Sequence, residues 1–165
     1  VSLPSSRFLT RPFPRWEISK FTGCGLMPTF VFPGKYESLA KIAELVQIAT
    51  REFGLDSCAA YGVETAVDEA CSNIIEHAYG GENRGEIEFS YEIAAEALII
   101  TLRDQGKKFK PKKIEKPKTN IPLKNRSDHG LGLYFIHQWM DEVHYDHREG
   151  YNILTLIKHK GTMSK

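Results

Sequence analysis

The feature that most constrains the fold is an apolar stripe in the stretch from Val63 to Gly81. A step of four residues advances only about 40° around an α-helix, so apolar residues at three- and four-residue spacing share one face. The stripe consists of Val63, Ala66, Val67, Ala70, Cys71, Ile74, Ile75 and Ala78. This pattern predicts a helix that packs on the core of the domain.

Three polar residues follow one edge of this stripe at four-residue spacing: Glu69, Asn73 and His77. Helical geometry predicts that each lies slightly closer to the core than the one before. An ordinary solvated edge carries Lys, Glu or Arg, whereas an acid, an amide and an imidazole in a row suit a ligand-facing edge. From this helix alone, a solvated flank and a ligand-facing edge are equally good interpretations.

The remaining patterns predict an α+β domain whose sheet is covered on one face by helices. Strands are expected at 29–32, 86–93, 97–104, 142–146 and 151–159, with the last two joined by a turn at 148–150. The short connection at 94–96 predicts an antiparallel hairpin.

Helical spacing predicts two further helices beside the central one. The first ends at Phe53-Gly54 and carries Leu39, Ile42, Ala43, Val46, Ile48 and Ala49. The last follows Gly130 and Gly132 and carries Leu133, Phe135, Ile136 and Met140. Asp56 or Ser57 is expected to cap the central helix, and Gly80-Gly81 to end it.

Composition limits the class of protein. With 165 residues and 41% hydrophobic content, the chain can fill one core. A net charge of +1 argues against electrostatic binding of nucleic acid by the whole molecule, and no apolar run is long enough to span a membrane. Cys24, Cys58 and Cys71 have no CxxC spacing, which argues against a zinc site or disulfide framework and favours a reducing, cytoplasmic setting.

Three segments lie outside the regular pattern. Residues 1–27 are interpreted as an arm or linker, or as a strand (15–21) that adds to a sheet edge or a partner. Residues 107–126 form a long basic loop with no periodicity, and most of its lysines are interpreted as solvated. It has no recognition helix, which argues against DNA binding. Residues 161–165 are a tail.

Candidate site residues stand at the ends of elements. Asp104 ends a strand and precedes Gly106, a common turn that also suits a carboxylate accepting from an exocyclic amine beside a flat base. The Gly130–Leu131–Gly132 segment before a helix is either a plain turn or a place where backbone N–H groups meet phosphate. Asn73 offers an oxygen ligand suited to Mg²⁺, and Glu69 can accept a proton from a hydroxyl or water.

The segments EACSNIIEHAY (69–79), DQGKKF (104–109) and HGLGL (129–133) resemble the N, G1 and G2 boxes of the GHKL ATPase superfamily. Within it, residues 28–159 most resemble the anti-sigma factor serine/threonine kinase family. The resemblance implies the Bergerat fold, a two-layer α/β sandwich whose mixed, mostly antiparallel sheet carries about three helices on one face. It also implies an ATP-binding domain at 28–160 with an ATP lid at about 105–128.

The resemblance assigns a role to each candidate residue. Glu69 is the general base, Asn73 binds Mg²⁺, and Asp104 holds the adenine amine with Gly106 beside the base. Gly130, Leu131 and Gly132 bring backbone N–H groups to the phosphates of ATP. For His77 two roles stay open: it approaches the phosphates or orders the lid, or it is a packed, hydrogen-bonded core histidine.

The function implied is ATP-dependent phosphorylation of a Ser or Thr on an anti-anti-sigma (STAS-like) partner, with homodimerisation and sequestration of a sigma factor. One alternative is a nucleotide-gated binding module without significant catalysis. Another is the ATPase domain of a sensor histidine kinase or of a larger sensor or phosphatase protein.

Overall fold

The computed structural model describes residues 28–109 and 131–161. Its strands are β1 (Phe30–Pro33), β2 (Glu86–Ile93), β3 (Ala97–Asp104), β4 (Glu142–Arg148) and β5 (Tyr151–His159). Its helices are α1 (Glu37–Phe53), α2 (Ser57–Asn73) with a following π-helical turn (Ile74–Ala78), and α3 (Leu131–Trp139). The predicted arm strand at 15–21 and most of the basic loop lie outside the described residues.

The described strands form one sheet in the order β1-β2-β3-β5-β4. All four pairings are antiparallel, so the prediction that the sheet is mixed is wrong for the described strands. The hairpin expected from the 94–96 connection is confirmed. Strand β1 includes Pro33, which an edge strand tolerates because its outer N–H positions need no partner.

The core lies between one face of this sheet and the three helices. The apolar stripe of the central helix is buried as expected from Val63 to Ile75, together with Ile42, Val46, Phe89, Ile100, Leu156 and Ile136. Ile48, expected on the inner face of α1, is 41% exposed. It is two residues after Val46, about 200° further around the helix, and therefore faces away from the core.

Local capping positions the central helix. The Asp56 side chain accepts a hydrogen bond from the backbone N–H of Ala59 at 2.9 Å, so Asp56 rather than Ser57 is the cap. Beyond the π-helical turn, Gly80 and Gly81 have φ values of 70° and 142° and end the helix, as predicted.

Helix α3 lies antiparallel to α2 and in close contact with it. The ring of Trp139, at the end of α3, occupies the space where a side chain at Gly62 would stand. The buried Lys158 Nζ donates a hydrogen bond to the Trp139 carbonyl oxygen at 3.1 Å, and lies 3.5 Å from an oxygen of Asp141. The C-terminal end of α3 is thus held both to α2 and to the sheet.

In the described part of the chain, no helix has the length and apolar character needed to cross a membrane.

Candidate functional site

The carboxylate of Asp104 lies at the end of β3, opposite Asn152 of β5. It is 5% exposed, and its Oδ1 accepts hydrogen bonds from the Gly106 backbone N–H and from Asn152 Nδ2, each at 2.8 Å. Burial raises the pKa of Asp104, although these two hydrogen bonds and nearby His147 oppose the shift. The predicted base-binding carboxylate is therefore buried and held in one orientation.

Asn152 is the centre of the contacts around this carboxylate. Its Nδ2 also donates to the carbonyl oxygen of Lys107 at 3.1 Å, and its Oδ1 accepts from the Phe109 N–H at 3.0 Å. His147 Nδ1 lies 3.2 Å from the same Oδ1. Sequence reasoning missed Asn152, because its role depends on the β3–β5 register. The sequence signal was an amide at a position that alternation places on the inward face of the strand with Leu154 and Leu156.

Gly106 is required by a close approach to the end of the π-helical turn. A Cβ atom built on Gly106 would stand 2.7 Å from the backbone and side chain of Ala78. The neighbouring Lys107 N–H donates to the Ala78 carbonyl oxygen at 2.8 Å. The space that the glycine leaves is thus filled by Ala78, and the segment after β3 is fixed to the helix that carries Glu69 and Asn73.

Tyr79 reinforces the same junction. Its hydroxyl accepts hydrogen bonds from the backbone N–H groups of Gln105 at 3.1 Å and Glu86 at 3.2 Å, and donates to the Glu86 carbonyl oxygen at 2.6 Å. Its ring packs against Gly85, where any side chain would collide with it. Sequence reasoning gave Tyr79 no role, although it stands in the motif that carried the resemblance.

The other part of the site is the contact between α2 and the first turn of α3. Gly132 lies inside α3, so the prediction that it precedes the helix is wrong. A glycine is needed here because α2 and α3 approach closely, not because the backbone has a positive φ. A Cβ atom on Gly132 would stand 2.5 Å from Glu69 Oε2 and 3.5 Å from Asn73 Nδ2. Leu131 opens the same helix, whereas Gly130 lies outside the described residues.

Glu69 and Asn73 have polar atoms that form no hydrogen bond with a described residue. Within the described ranges, Glu69 forms no hydrogen bond or ion pair, and the buried Nδ2 of Asn73 has no hydrogen-bond partner. The pKa of Glu69 is raised by partial burial and by the negative charges of Asp68 and Glu76. A carboxylate with a raised pKa and a free acceptor is suited to take up a proton.

His77 does not continue the edge defined by Glu69 and Asn73. The Tyr79 N–H bonds to the Ile74 carbonyl oxygen, five residues back, so the chain there follows a π-helix rather than an α-helix. His77 is exposed, and the interpretation of a packed core histidine is wrong. Its role toward phosphates or the lid stays a prediction.

The residues present fit a nucleotide with its metal. Gly132 lets the side chains of Glu69 and Asn73 lie close to the first turn of α3, and Asp104 retains one oxygen that no described residue bonds. Among residues 28–109 and 131–161, no group of three or more His, Cys, Asp or Glu side chains could hold a metal ion. The Asn73 amide oxygen is the group that would hold Mg²⁺, whose other ligands would be phosphate and water oxygens.

The antiparallel sheet, the three helices and this arrangement at their edge define a histidine kinase-like ATPase domain, whose family model matches residues 32–158. The chain belongs to this family and, within it, to the anti-sigma factor serine kinases typified by RsbW. Serine-protein kinase RsbW of Bacillus cereus and of Bacillus mycoides are each 31% identical over 126 residues, 74% of this chain and 78% of the relative. The family resemblance found in the sequence is confirmed.

Solved structures show the same fold. A chain with the RsbU and RsbW domains of Rv1364c from Mycobacterium tuberculosis superposes with a TM-score of 0.50 at 14% identity, covering 79% of this chain and 32% of that chain. The catalytic domain of histidine kinase ThkA gives 0.50 at 16% identity, covering 81% and 99%. The present chain thus spans about a third of the Rv1364c chain. At these identities the likeness establishes the fold alone.

Proposed function

We propose that this chain is an ATP-dependent serine/threonine protein kinase of the anti-sigma factor type. Its protein substrate would be an anti-anti-sigma, STAS-like partner that presents a Ser or Thr hydroxyl. The observation that carries the proposal is Glu69: a partly buried carboxylate with no hydrogen bond among the described residues, packed against Gly132 in the first turn of α3. Support comes also from the relatives, which are named serine-protein kinases.

Each part of the site has a task in this proposal. Asp104 accepts a hydrogen bond from the adenine amine, and Gly106 lies beside the base. The backbone at Gly130, Leu131 and Gly132 donates N–H groups to the phosphates, at a helix N-terminus that favours negative charge. Asn73 holds Mg²⁺, which when bound offsets the charge of the phosphates.

The transfer step needs one proton acceptor. The oxygen of the partner's hydroxyl forms a bond to the γ-phosphorus, the bond from that phosphorus to the leaving ADP oxygen breaks, and the hydroxyl proton passes to Glu69. Because phosphoryl transfer depends mainly on positioning and charge stabilisation, one carboxylate base in such a site is sufficient.

The proposal extends to assembly. By family membership, the domain at 28–160 would form a homodimer, and the residues at about 105–128 would close over ATP as a lid. The dimer would bind and sequester a sigma factor in the cytoplasm. His77, exposed at the end of the central helix, is the described residue that would approach the phosphates or order the lid.

The test is transfer of labelled γ-phosphate from MgATP to candidate anti-anti-sigma proteins. Glu69→Gln should lower the transfer rate by at least about 100-fold, because general-base contributions range from about 10² to 10⁴. Its ATP affinity should stay close to that of wild type. Glu64→Gln is the matched control, since Glu64 lies on the same helix but bonds Gln47 at the surface.

Three results would contradict the proposal in different ways. Unchanged transfer by Glu69→Gln would remove the base role. ATP binding that alters partner affinity without consumption of ATP would favour a binding module instead. Absence of ATP binding would remove the nucleotide function itself.

A further inference from the structure

We propose that Asn152 is a specificity-determining positioning residue, whose amide holds the Asp104 carboxylate as a hydrogen-bond acceptor and so selects nucleotides with an exocyclic amine on the base. The inference rests on the proposed nucleotide site. It adds a residue from β5 to a site otherwise built from α2, the end of β3 and α3.

The hydrogen bonds around Asp104 leave one oxygen for a ligand. Both hydrogen bonds that Asp104 accepts in the described structure end on Oδ1, from Gly106 N–H and Asn152 Nδ2. The Oδ2 atom therefore remains to accept. Because the Asn152 side chain is 6% exposed and its own two polar atoms are bonded to Lys107 and Phe109, it cannot rotate to present its oxygen without breaking several contacts.

A carboxylate acceptor at this position discriminates between purines. Adenine carries an amino group where guanine carries a carbonyl oxygen. An ionised Asp104 accepts from the adenine amine but repels the guanine oxygen, whereas a protonated Asp104 can donate to that oxygen. Whatever keeps Asp104 ionised and oriented therefore sets the preference between ATP and GTP.

The protonation state of Asp104 depends on the amide of Asn152. The titratable groups that face Asp104 within the described residues are His147 of β4 and Tyr79 after the π-helical turn. Burial already raises the pKa of Asp104, and the hydrogen bonds from Asn152 and Gly106 are the main influences that lower it. Without the amide of Asn152, Asp104 would take up a proton more readily.

Asn152 also joins base selection to the start of the predicted lid. The same amide that bonds Asp104 bonds the backbone of Lys107 and Phe109. The ring of Phe109 stacks on Tyr145, with ring centroids 4.8 Å apart. A base that displaces Asp104 would therefore disturb the path of residues 107–109.

The test compares three side chains of nearly equal shape at position 152, using titrations of the whole chain with Mg²⁺ and non-hydrolysable ATP or GTP analogues. Asparagine donates to Asp104 at every pH, the Asn152→Leu side chain never donates, and the Asn152→Asp side chain donates only while protonated. Asn152→Leu should weaken ATP binding by about tenfold or more and lower the ATP-to-GTP affinity ratio by a similar factor. Thr155→Val, on the other face of β5, is the control for disturbance of the strand.

Asn152→Asp supplies a measurement that holds even if the leucine variant does not fold. Two facing carboxylates share a proton, so this variant should bind ATP like wild type at low pH. Its ATP affinity should fall as the pH rises and the pair loses that proton, whereas wild type should show no such fall.

A specificity role and a merely structural role give different results. Equal weakening of ATP and GTP, or an unchanged affinity ratio in both variants, would overturn the inference while leaving the nucleotide site intact. If wild type itself binds neither nucleotide, the proposed function fails and the inference fails with it.

Discussion

The two parts of the site differ in how fully their polar groups are hydrogen-bonded. Around Asp104, the segment 104–109 is held by Asn152, Tyr79 and Ala78 through hydrogen bonds of 2.8–3.1 Å. At the α2–α3 contact, Glu69 forms no hydrogen bond with any described residue, and Asn73 Nδ2 is buried without a partner there. An unsatisfied buried polar group costs about 1–3 kcal/mol.

In the proposed kinase, this difference separates recognition of the base from transfer of the phosphoryl group. The segment 104–109 has a fixed shape before any ligand arrives, which suits selection of a rigid base. The α2–α3 contact leaves polar atoms for a ligand's oxygen atoms to satisfy, which suits binding of phosphates and acceptance of a proton. Changes in the first part should therefore affect affinity, and changes in the second should affect turnover.

The largest effect is expected for Gly132→Ala. The new Cβ would meet Glu69 Oε2 at 2.5 Å, so the carboxylate proposed as the base must move. Displacement of a catalytic group by about 1 Å can cost about 100-fold in rate, so kcat should fall by about that factor. Alanine is a better helix former than glycine, so this substitution should not destabilise α3 by itself. A variant that is less stable than wild type would argue against displacement of Glu69 as the cause of the lower rate. Phe135→Ala, at an exposed position of α3, is the control.

The next largest effect is expected for Asp104→Asn. The amide oxygen must still accept from Gly106 and Asn152, so the new NH₂ group would face the base and oppose the adenine amine. ATP affinity should fall by about tenfold to 100-fold, since hydrogen bonds to charged groups contribute about 1.5–3 kcal/mol. The rate at saturating ATP should change little. Asp146→Asn, a strand aspartate that bonds Arg148, should leave binding unaltered. A fall in kcat without a change in ATP affinity would contradict the assignment of Asp104 to base recognition.

A smaller effect is expected for Tyr79→Phe. This substitution keeps the ring on Gly85 but removes the hydroxyl that bonds the N–H groups of Gln105 and Glu86. Because these hydrogen bonds are exposed and water can replace them, the loss should cost about 0.5–1.5 kcal/mol in the free energy of unfolding. The KM for ATP should rise several-fold with kcat retained. Tyr91→Phe loses only a 3.4 Å contact with Glu52 and should match wild type in urea unfolding and in KM.

The smallest effect is a shift of the acid limb of the pH–rate profile. The pKa of Glu69 is raised, so its base form is present above that value and is lost as the pH falls through it. The kcat should therefore begin to fall at a higher pH than an ordinary glutamate would give. The raised pKa of Asp104 acts on affinity and should appear in kcat/KM instead. A kcat independent of pH across this range would argue against Glu69 as the base.

Alternation and helical spacing predicted the features that depend on local sequence. The exact bounds of β2 and β3 and the stripe from Val63 to Ile75 follow from such patterns, which limited the cap of the central helix to Asp56 or Ser57. Asp104 could be chosen because it ends a strand and precedes a glycine turn.

The remaining features depend on contacts between distant segments. Asn152 becomes important only through the register that places it opposite Asp104. At the π-helical turn, Ala78 and Tyr79 bond residues at the ends of β2 and β3, and no helical pattern encodes these contacts. The prediction that His77 continues the edge of Glu69 and Asn73 assumed an α-helix, but the α-helix ends at Asn73 and a π-helical turn follows.

Lys158 offers a way to observe the helix that carries Gly132. Its side chain is 2% exposed, and its ammonium group bonds the Trp139 carbonyl oxygen at the end of α3. An amine-reactive reagent should modify this lysine only while α3 is detached from the sheet, whereas Lys160, which is exposed, should react at once. The rate at which Lys158 is labelled, measured by mass spectrometry with and without nucleotide, would thus report how often the C-terminal end of α3 detaches from the sheet.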